Sequence, residues 1–398
     1  MLFTIGDIHE GTRYRIKDRE KALIFQSICT ERETTRKRIA ENLKLRPTTV
    51  SAVTQELIED SLIEETTNRS AGKPGRPELK LIPNNNRLTA ISIFVEGKKL
   101  KGKLVNMGEE ILAENEYSLE NDVENEEVER TIFRLTEELK KANPQDSKLL
   151  GAGVSLVGTV DSKEKRWITC ARWNRIKNLD FKRIEEKSGL KITIRRALDT
   201  ELEYQLIKFP EYRKENILLF HWGYGIGSAF AFHGKVLTSS IGRFAEIGHT
   251  RVPGADDRPC LCGSRGCLET VAAMWALLPE LKEMHGIETD DERSFADILE
   301  TESIARSKVI KKAISHVSIG LTNIFRILYP DHILLIGPFT ENQVIFERLI
   351  LTFDATLPGY MKGAVGFSTI RGGFKGSIYG NVYTLFLDKL KELLKMRA

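Results

Sequence analysis

The sequence predicts an α/β chain: a small helical head carrying a β-hairpin wing, then a larger unit of two α/β lobes. Three observations predict it. Helical periodicity recurs three times before residue 60 and gives way to two short β-type runs. From Leu88 onward strands alternate with helices, and the pattern starts again at Asn216. A loop holding three of the five cysteines then separates the strands of the second half from its helices.

At 398 residues the chain exceeds one ordinary domain. Sixty Lys and Arg against 56 Asp and Glu leave a net charge of +4, so any basic surface is local. No apolar run approaches a membrane span, and Met-Leu-Phe-Thr-Ile-Gly-Asp at the start lacks the form of a signal peptide. The expectation is a cytoplasmic protein without a membrane partner. Cys29 and Cys170 stand alone, which suits a reducing compartment better than a disulfide framework.

In the head, Ala22, Leu23, Phe25 and Ile28 recur at helical spacing and predict a first helix from Lys17 to Cys29. Thr34 or Thr35 can cap a second over Arg36 to Leu43. Leu45-Arg46 makes a short turn, and Pro47 suits the first position of a third helix running through Leu57. Two short helices joined by a tight turn are the build of a helix-turn-helix. Val50, Val53 and Leu57 should pack inward. Arg46, Thr48, Thr49, Ser51, Thr54 and Gln55 are left outward, where Arg and Gln can read base edges and hydroxyls can hold phosphates. Leu62 to Glu65 and Glu78 to Ile82 read as the strands of a wing whose Gly/Pro-rich tip carries Arg69, Lys73 and Arg76. Arg76 has no bulk around it and could enter a narrow minor groove; a basic flexible linker is the plain alternative. Pro83 to Asn86 is a polar hinge, so the head is 1–86 and the larger domain 87–398.

Beyond the hinge, strands are expected at Leu88 to Phe94, Leu100 to Asn106, Ile111 to Ser118, Leu149 to Leu156 and Lys191 to Arg196. Helices are expected at Asn125 to Ala142, Phe181 to Ser188 and Leu198 to Phe209. The second half offers strands at Asn216 to His221, Ser228 to Phe232 and Ile333 to Ile336. Its helices fall at Thr270 to Met284, Ser294 to Glu300, Ala305 to Leu328 and Tyr383 to Lys395.

Between these elements lies the loop 246–269. One imidazole, His249, and three thiols, Cys260, Cys262 and Cys267, make a tetrahedral Zn²⁺ set, and Gly263 and Gly266 let the loop curl so that the sulfurs face one centre. Such a set is full and leaves no position for water, so the metal shapes a loop and activates nothing. Buried or paired cysteines are the alternative. Glu246 and Glu269 flank the knuckle and are free to meet hydroxyls of a small polar molecule, with the second nitrogen of His249 beside them.

Glu246-Ile-Gly-His249 followed by Cys260-Leu-Cys-Gly-Ser-Arg-Gly-Cys-Leu-Glu269 resembles the signature of the ROK family, which joins sugar kinases and sugar-responsive repressors, among them those of the xylose and N-acetylglucosamine type. The resemblance runs from about Thr89 to the C-terminus. It implies a two-lobed actin-like (ribonuclease-H-like) domain of the sugar-kinase type, with structural zinc on His249, Cys260, Cys262 and Cys267. It also implies sugar contacts from Glu246, His249 and Glu269, and assembly as a homodimer or homotetramer.

A kinase of this kind needs a base and backbone donors around ATP phosphates. Asp199 stands where the resemblance places the catalytic carboxylate, preceded by Leu198 where the family has Asn; it is a sugar-binding candidate and a vestigial base. The family's Asp-x-Gly-Gly-Thr is replaced by Phe94-Val-Glu-Gly-Lys98. The second phosphate loop reads Gly223-Tyr-Gly-Ile-Gly227, and Ile336-Gly-Pro338 replaces a Gly-Gly pair. The expectation is therefore a regulator that binds double-stranded operator DNA and takes a mono- or disaccharide effector in a degenerate kinase cleft, without enzymatic turnover. An ATP-dependent sugar kinase with an appended DNA-binding domain is the alternative from the enzyme class.

Overall fold

The computed structural model describes residue 8 and residues 15–67, 79–239 and 244–396. Arg69, Lys73 and Arg76 at the expected wing tip lie outside the described residues.

The head consists of helices α1 (Ile16–Glu31), α2 (Arg36–Leu43) and α3 (Pro47–Glu59) and strands β1 (Thr34–Thr35), β2 (Ile63–Thr67) and β3 (Leu79–Pro83). Ala22, Ile24, Phe25, Ile28, Ile39, Val50, Val53 and Leu57 close on one another inside it. Thr35 caps α2 by accepting from Arg38 N at 3.3 Å. Lys44 takes a left-handed φ of 52° to end α2, and Pro47 starts α3 in its first turn. The β3 strand lies between β1 and β2, so the wing is a three-stranded sheet. The two-residue β1 is too short to show a period in the sequence.

The larger domain is two lobes with the same topology. In the first, β4 (Leu88–Glu96), β5 (Lys99–Asn106), β6 (Ile111–Ser118), β7 (Lys148–Leu156) and β11 (Ile192–Arg196) lie in the order β11-β7-β4-β5-β6. In the second, β12 (Ile217–Trp222), β13 (Ile226–Phe232), β14 (Lys235–Val236), β15 (His332–Ile336) and β16 (Gly366–Ile370) lie in the order β14-β13-β12-β15-β16. Numbered within each lobe, both read 3-2-1-4-5. In both, the first three strands form an antiparallel meander and the last two run parallel to the first. That repeat is the ribonuclease-H-like arrangement that makes the fold actin-like. A small sheet of β8 (Thr159–Asp161), β9 (Arg166–Thr169) and β10 (Lys177–Asp180) extends the first lobe around the buried Trp167 and Trp173.

Helices α4 (Asn125–Lys141) and α5 (Lys182–Ser188) pack on the first sheet, and α6 (Ala197–Lys208) crosses to the second. The second lobe is covered by α7 (Met274–His285), α8 (Glu292–Leu299), α9 (Lys308–Leu328) and α10 (Gln343–Thr356). The final helix, α11 (Tyr383–Leu393), returns to the first lobe.

That return joins the head to the lobes. Leu385, Phe386, Leu390 and Leu394 of the C-terminal segment share one continuous core with Ile28, Val50, Val53 and Leu57 of the head. Lys21 is fully buried there. Its Nζ donates to Glu56 Oε2 at 2.9 Å, Asp60 Oδ2 at 3.2 Å and the Lys395 carbonyl at 3.3 Å, while Met396 N donates to Asp18 Oδ1 at 2.8 Å. A buried ammonium is tolerated only when its charge and hydrogen bonds are met, and here one lysine ties α1, α3 and the chain end. Lys21→Ala leaves two carboxylates without their buried cation. A loss of about 3 kcal/mol is expected, read as a lower urea midpoint for the head.

Candidate functional site

On the head, the turn that ends α2 and the proline that starts α3 present the N-terminal half of α3 to solvent. Arg46, Thr48, Ser51 and Gln55 are exposed and Thr49 half-buried, as the period of α3 requires. Thr54 is a correction. It is fully buried, accepting from Arg36 Nε at 2.9 Å and donating to the Ser51 carbonyl at 3.1 Å, while Arg36 Nη1 reaches Glu65 Oε1 at 2.5 Å. It faces α2 because it lies one helical turn from Val50 and beside Val53, and its hydroxyl fixes a guanidinium that links α3 to the wing.

In the second lobe the loop 246–269 gathers its four metal-ligand candidates. The ligand atoms of His249, Cys260, Cys262 and Cys267 lie within 4.8 Å of one another. Cys260 Sγ is 3.7 Å from His249 Nδ1, and Cys262 Sγ is 3.8 Å from Cys267 Sγ. Two sulfurs bound tetrahedrally at zinc–sulfur distances sit about 3.8 Å apart, the spacing of Cys262 and Cys267, and the three-thiol, one-imidazole set suits zinc. Gly263 and Gly266 both take positive φ, 89° and 74°, and a side chain at Gly266 would meet the Asp256 carbonyl. Burial pushes the thiols of Cys260 and Cys267 above the ordinary cysteine value, so a cation at the centre has to supply the thiolate form.

From the metal set a chain of polar groups leads into the cleft. His249 Nε2 lies 3.7 Å from Glu246 Oε2, and Glu246 Oε1 lies 3.6 Å from Arg196 Nη1. Arg196, buried at the end of β11, donates to Asp199 Oδ1 from Nε at 3.2 Å and from Nη2 at 2.7 Å. It also donates to the Phe244 and Ser228 carbonyls at 3.0 and 2.9 Å. Asp199 sits in the first turn of α6, one turn beyond Arg196, which brings the pair together at i, i+3. Arg196 is the residue that sequence reasoning missed. Its signal in the sequence is the Arg195-Arg196 pair that ends β11, with Arg196 three residues before Asp199 across the strand-to-helix junction. Leu198 points elsewhere, onto Gly227.

Glu269 is drawn to a different task. Its Oε1 accepts from Ile226 N at 2.7 Å and its Oε2 faces Trp275 Nε1 at 3.4 Å, so its carboxylate braces the glycine loop between β12 and β13. The same loop holds a second internal carboxylate. Glu292 Oε1 accepts from Tyr224 N at 2.6 Å and Oε2 lies 3.2 Å from His221 Nε2. A side chain at Gly223 would place Cβ 2.3 Å from Glu292 Oε1. Burial raises the Glu292 carboxyl, but His221 and the Tyr224 N–H beside it hold it below the usual range. Around it the lobes touch: the Arg172 guanidinium stacks 3.9 Å over the Tyr224 ring, Arg172 Nη2 donates to the Asp290 carbonyl at 3.2 Å, and Lys98 pairs with Asp290 at 2.7 Å.

The model of the ROK family matches residues 90–383 of this chain. The chain belongs to the ROK family. Among relatives of the ROK protein described here, the xylose repressor of Caldicellulosiruptor bescii is 26% identical over 408 residues, covering 98% of this chain and 90% of its own. A crystal structure of a ROK family transcriptional regulator, described as a homologue of the Escherichia coli Mlc protein, superimposes with a TM-score of 0.71 at 21% identity. It covers 95% of this chain and 98% of its own. The ROK hexokinase of Thermus thermophilus superimposes with a TM-score of 0.59 at 19% identity, covering 76% of this chain and 99% of its own, and so shares the larger domain's fold. Among the described residues no helix is long and apolar enough to cross a membrane.

Two outcomes follow from this geometry. Purified protein is expected to hold one zinc ion per chain by atomic absorption, and Cys267→Ser to lose it together with several degrees of thermal stability. Thr54→Val, which leaves the Arg36 guanidinium short of a buried acceptor, should cost about 1–3 kcal/mol in urea denaturation, whereas Gln55→Ala should leave stability unchanged.

Proposed function

We propose that this ROK protein is a sugar-responsive, DNA-binding transcriptional repressor of carbohydrate genes, working in the cytoplasm as a homodimer or homotetramer. The observation that carries this reading is the core shared by α3 and the C-terminal helix, because it makes any movement of the lobes a movement of the DNA-reading head. The xylose repressor that spans nearly the whole chain supports it. In this reading 1–86 is the DNA-binding unit and 87–398 the sensor. Arg46, Thr48, Thr49, Ser51 and Gln55 face the major groove, and Lys73 and Arg76 of the wing reach the backbone or minor groove.

A mono- or disaccharide enters the cleft and offers hydroxyls to Asp199, Glu246 and His249, with Glu269 holding the floor of the site. In its absence Arg196 partners Asp199 and faces Glu246, and Glu246 in turn faces His249. Sugar binding therefore exchanges one set of hydrogen bonds for another and releases the loop that carries Phe244 and Glu246. His249, Cys260, Cys262 and Cys267 would hold structural zinc, which fixes the position of that loop and takes no part in chemistry. A differential of about 1–3 kcal/mol between sugar-free and sugar-bound states is enough for a useful switch.

Phosphoryl transfer is a poor fit to the same cleft. The backbone donor at Tyr224 is already capped by Glu292, the ring of Tyr224 lies under Arg172, and the Asp199 carboxylate is held by a guanidinium instead of standing free as a base. The likeness to a hexokinase in fold favours a kinase as the second reading. That reading predicts ATP-dependent formation of a sugar phosphate, lost in Asp199→Asn.

Retardation of DNA from upstream of its own gene, at one salt concentration, tests the proposal against a panel of mono- and disaccharides without ATP. One sugar is expected to shift operator affinity about tenfold; DNA binding that no sugar alters would refute sugar control. Gln55→Ala should weaken operator binding by about 1–3 kcal/mol and relax preference at one base pair.

A further inference from the structure

A second pocket, of about 620 Å³, lies on the far side of α6 from Asp199. At about 100° per residue, Glu201, Tyr204, Gln205 and Lys208 centre on the helix face opposite the cleft, and all four line this pocket. Its other wall is the edge strand β16 and the turn Arg371-Gly-Gly-Phe-Lys-Gly376, which is able to fold over because Gly372 and Gly373 take φ of 80° and 73°.

The lining is mostly cationic, with the Glu109 carboxylate at its margin, 3.4 Å from Tyr204 Oη. Lys208, Arg371 and Lys375 supply three cations, and among the described residues Arg371 and Lys375 pair with no carboxylate. Lys208 donates to a phenol, Tyr204 Oη, at 3.2 Å, and that phenol and the Glu109 carboxylate beyond it raise the lysine above its ordinary value. The single carboxylate among the lining residues, Glu201, is buried and already committed: it accepts from Ser377 N at 2.8 Å and Gln205 Nε2 at 2.9 Å, and burial pushes its pKa up toward the neutral form. Tyr204 and Tyr379 stack with centroids 5.7 Å apart and form a flat apolar wall beside the cations. The volume lies in the range of small-molecule sites, and an apolar wall with a few converging charges is their usual make-up.

We propose that this pocket binds a small phosphate-bearing metabolite, its anion held by Lys208, Arg371 and Lys375 and its body lying against Tyr204 and Tyr379. Arg and Lys together suit a dianionic phosphate: the guanidinium offers a bidentate fork and the ammonium groups point charges. The site is placed to be heard elsewhere. Helix α6 is a wall of both pockets, and Tyr379, whose Oη donates to the Glu109 carbonyl at 2.7 Å, sits just before the helix that packs on the head. The bound metabolite would thus bias the same element that sugar biases, by a different contact.

The test is calorimetric titration of the full chain, without DNA and at fixed ionic strength, with inorganic phosphate, glucose 6-phosphate, ribose 5-phosphate and AMP, and with glucose as the uncharged control. At least one phosphate-bearing probe is expected to bind with Kd below about 1 mM. The exposed pair Arg371→Ala/Lys375→Ala should weaken that binding at least about tenfold while the melting temperature holds, and Arg196→Gln in the cleft should leave it unchanged. Absence of binding by all four probes overturns the proposal. So does binding that survives the double substitution, or that is lost with Arg196→Gln. The site stands apart from the repressor reading, so a failure of sugar to move DNA does not touch it, and a failure here leaves sugar control intact.

Discussion

The molecule depends on one buried amide. Asn381 Nδ2 donates to the Gly153 carbonyl at 2.5 Å and to the Ile93 carbonyl at 3.0 Å, tying the C-terminal segment to the two central strands of the first lobe. The approach is so close that a Cβ at Gly153 would lie 2.3 Å from the Asn381 carbonyl oxygen. With that anchor in place, α11 lies against both β4 and the head, and Lys21 and Asp18 find their acceptor and donor in the chain end. Leu88, Ala90, Val105 and Met107 of the first lobe complete the same core, so the anchor and the lobe together hold the head.

The cleft is furnished with internal partners at each point where a ligand would press. Arg196 answers the acids that face a sugar, and Glu292 answers the backbone donor of the glycine loop. These two substitutes differ in strength. Arg196 uses charge-assisted bonds to Asp199 together with two neutral carbonyls, and Glu246 at 3.6 Å is held loosely, so a hydroxyl-rich ligand has something to displace. Glu292 sits between a main-chain N–H and His221 behind an interlobe contact, and has no comparable competitor.

Much of this was legible in the sequence. The head, the two-lobed α/β pattern and the zinc-type knuckle are carried by local signals: caps, proline at a helix start, period-2 runs, and ligand spacing within one loop. Asp199, Glu246 and His249 do converge, joined by Arg196. What was hidden needed three dimensions. Thr54 reads as a polar residue on a polar helix, and only the packing of α2 shows that its hydroxyl has an internal partner. Glu269 reads as a free carboxylate beside the knuckle and Glu292 as an ordinary glutamate until the glycine loop folds onto them. The α10 helix and β16 were open to periodicity in principle, since Ile345, Leu349 and Phe353 repeat every fourth residue, but they follow a glycine-proline break that obscures where the lobe resumes. The three-stranded sheet between Thr159 and Asp180 is built of strands too short to show a pattern.

The carboxylate of Glu292 has a consequence for what the protein can report. A protein whose glycine loop waits for phosphate answers to the adenylate pool as well as to its sugar. Here an anion is supplied in cis: the Glu292 carboxylate holds the Tyr224 N–H, and an outside phosphate would have to displace it to reach that donor.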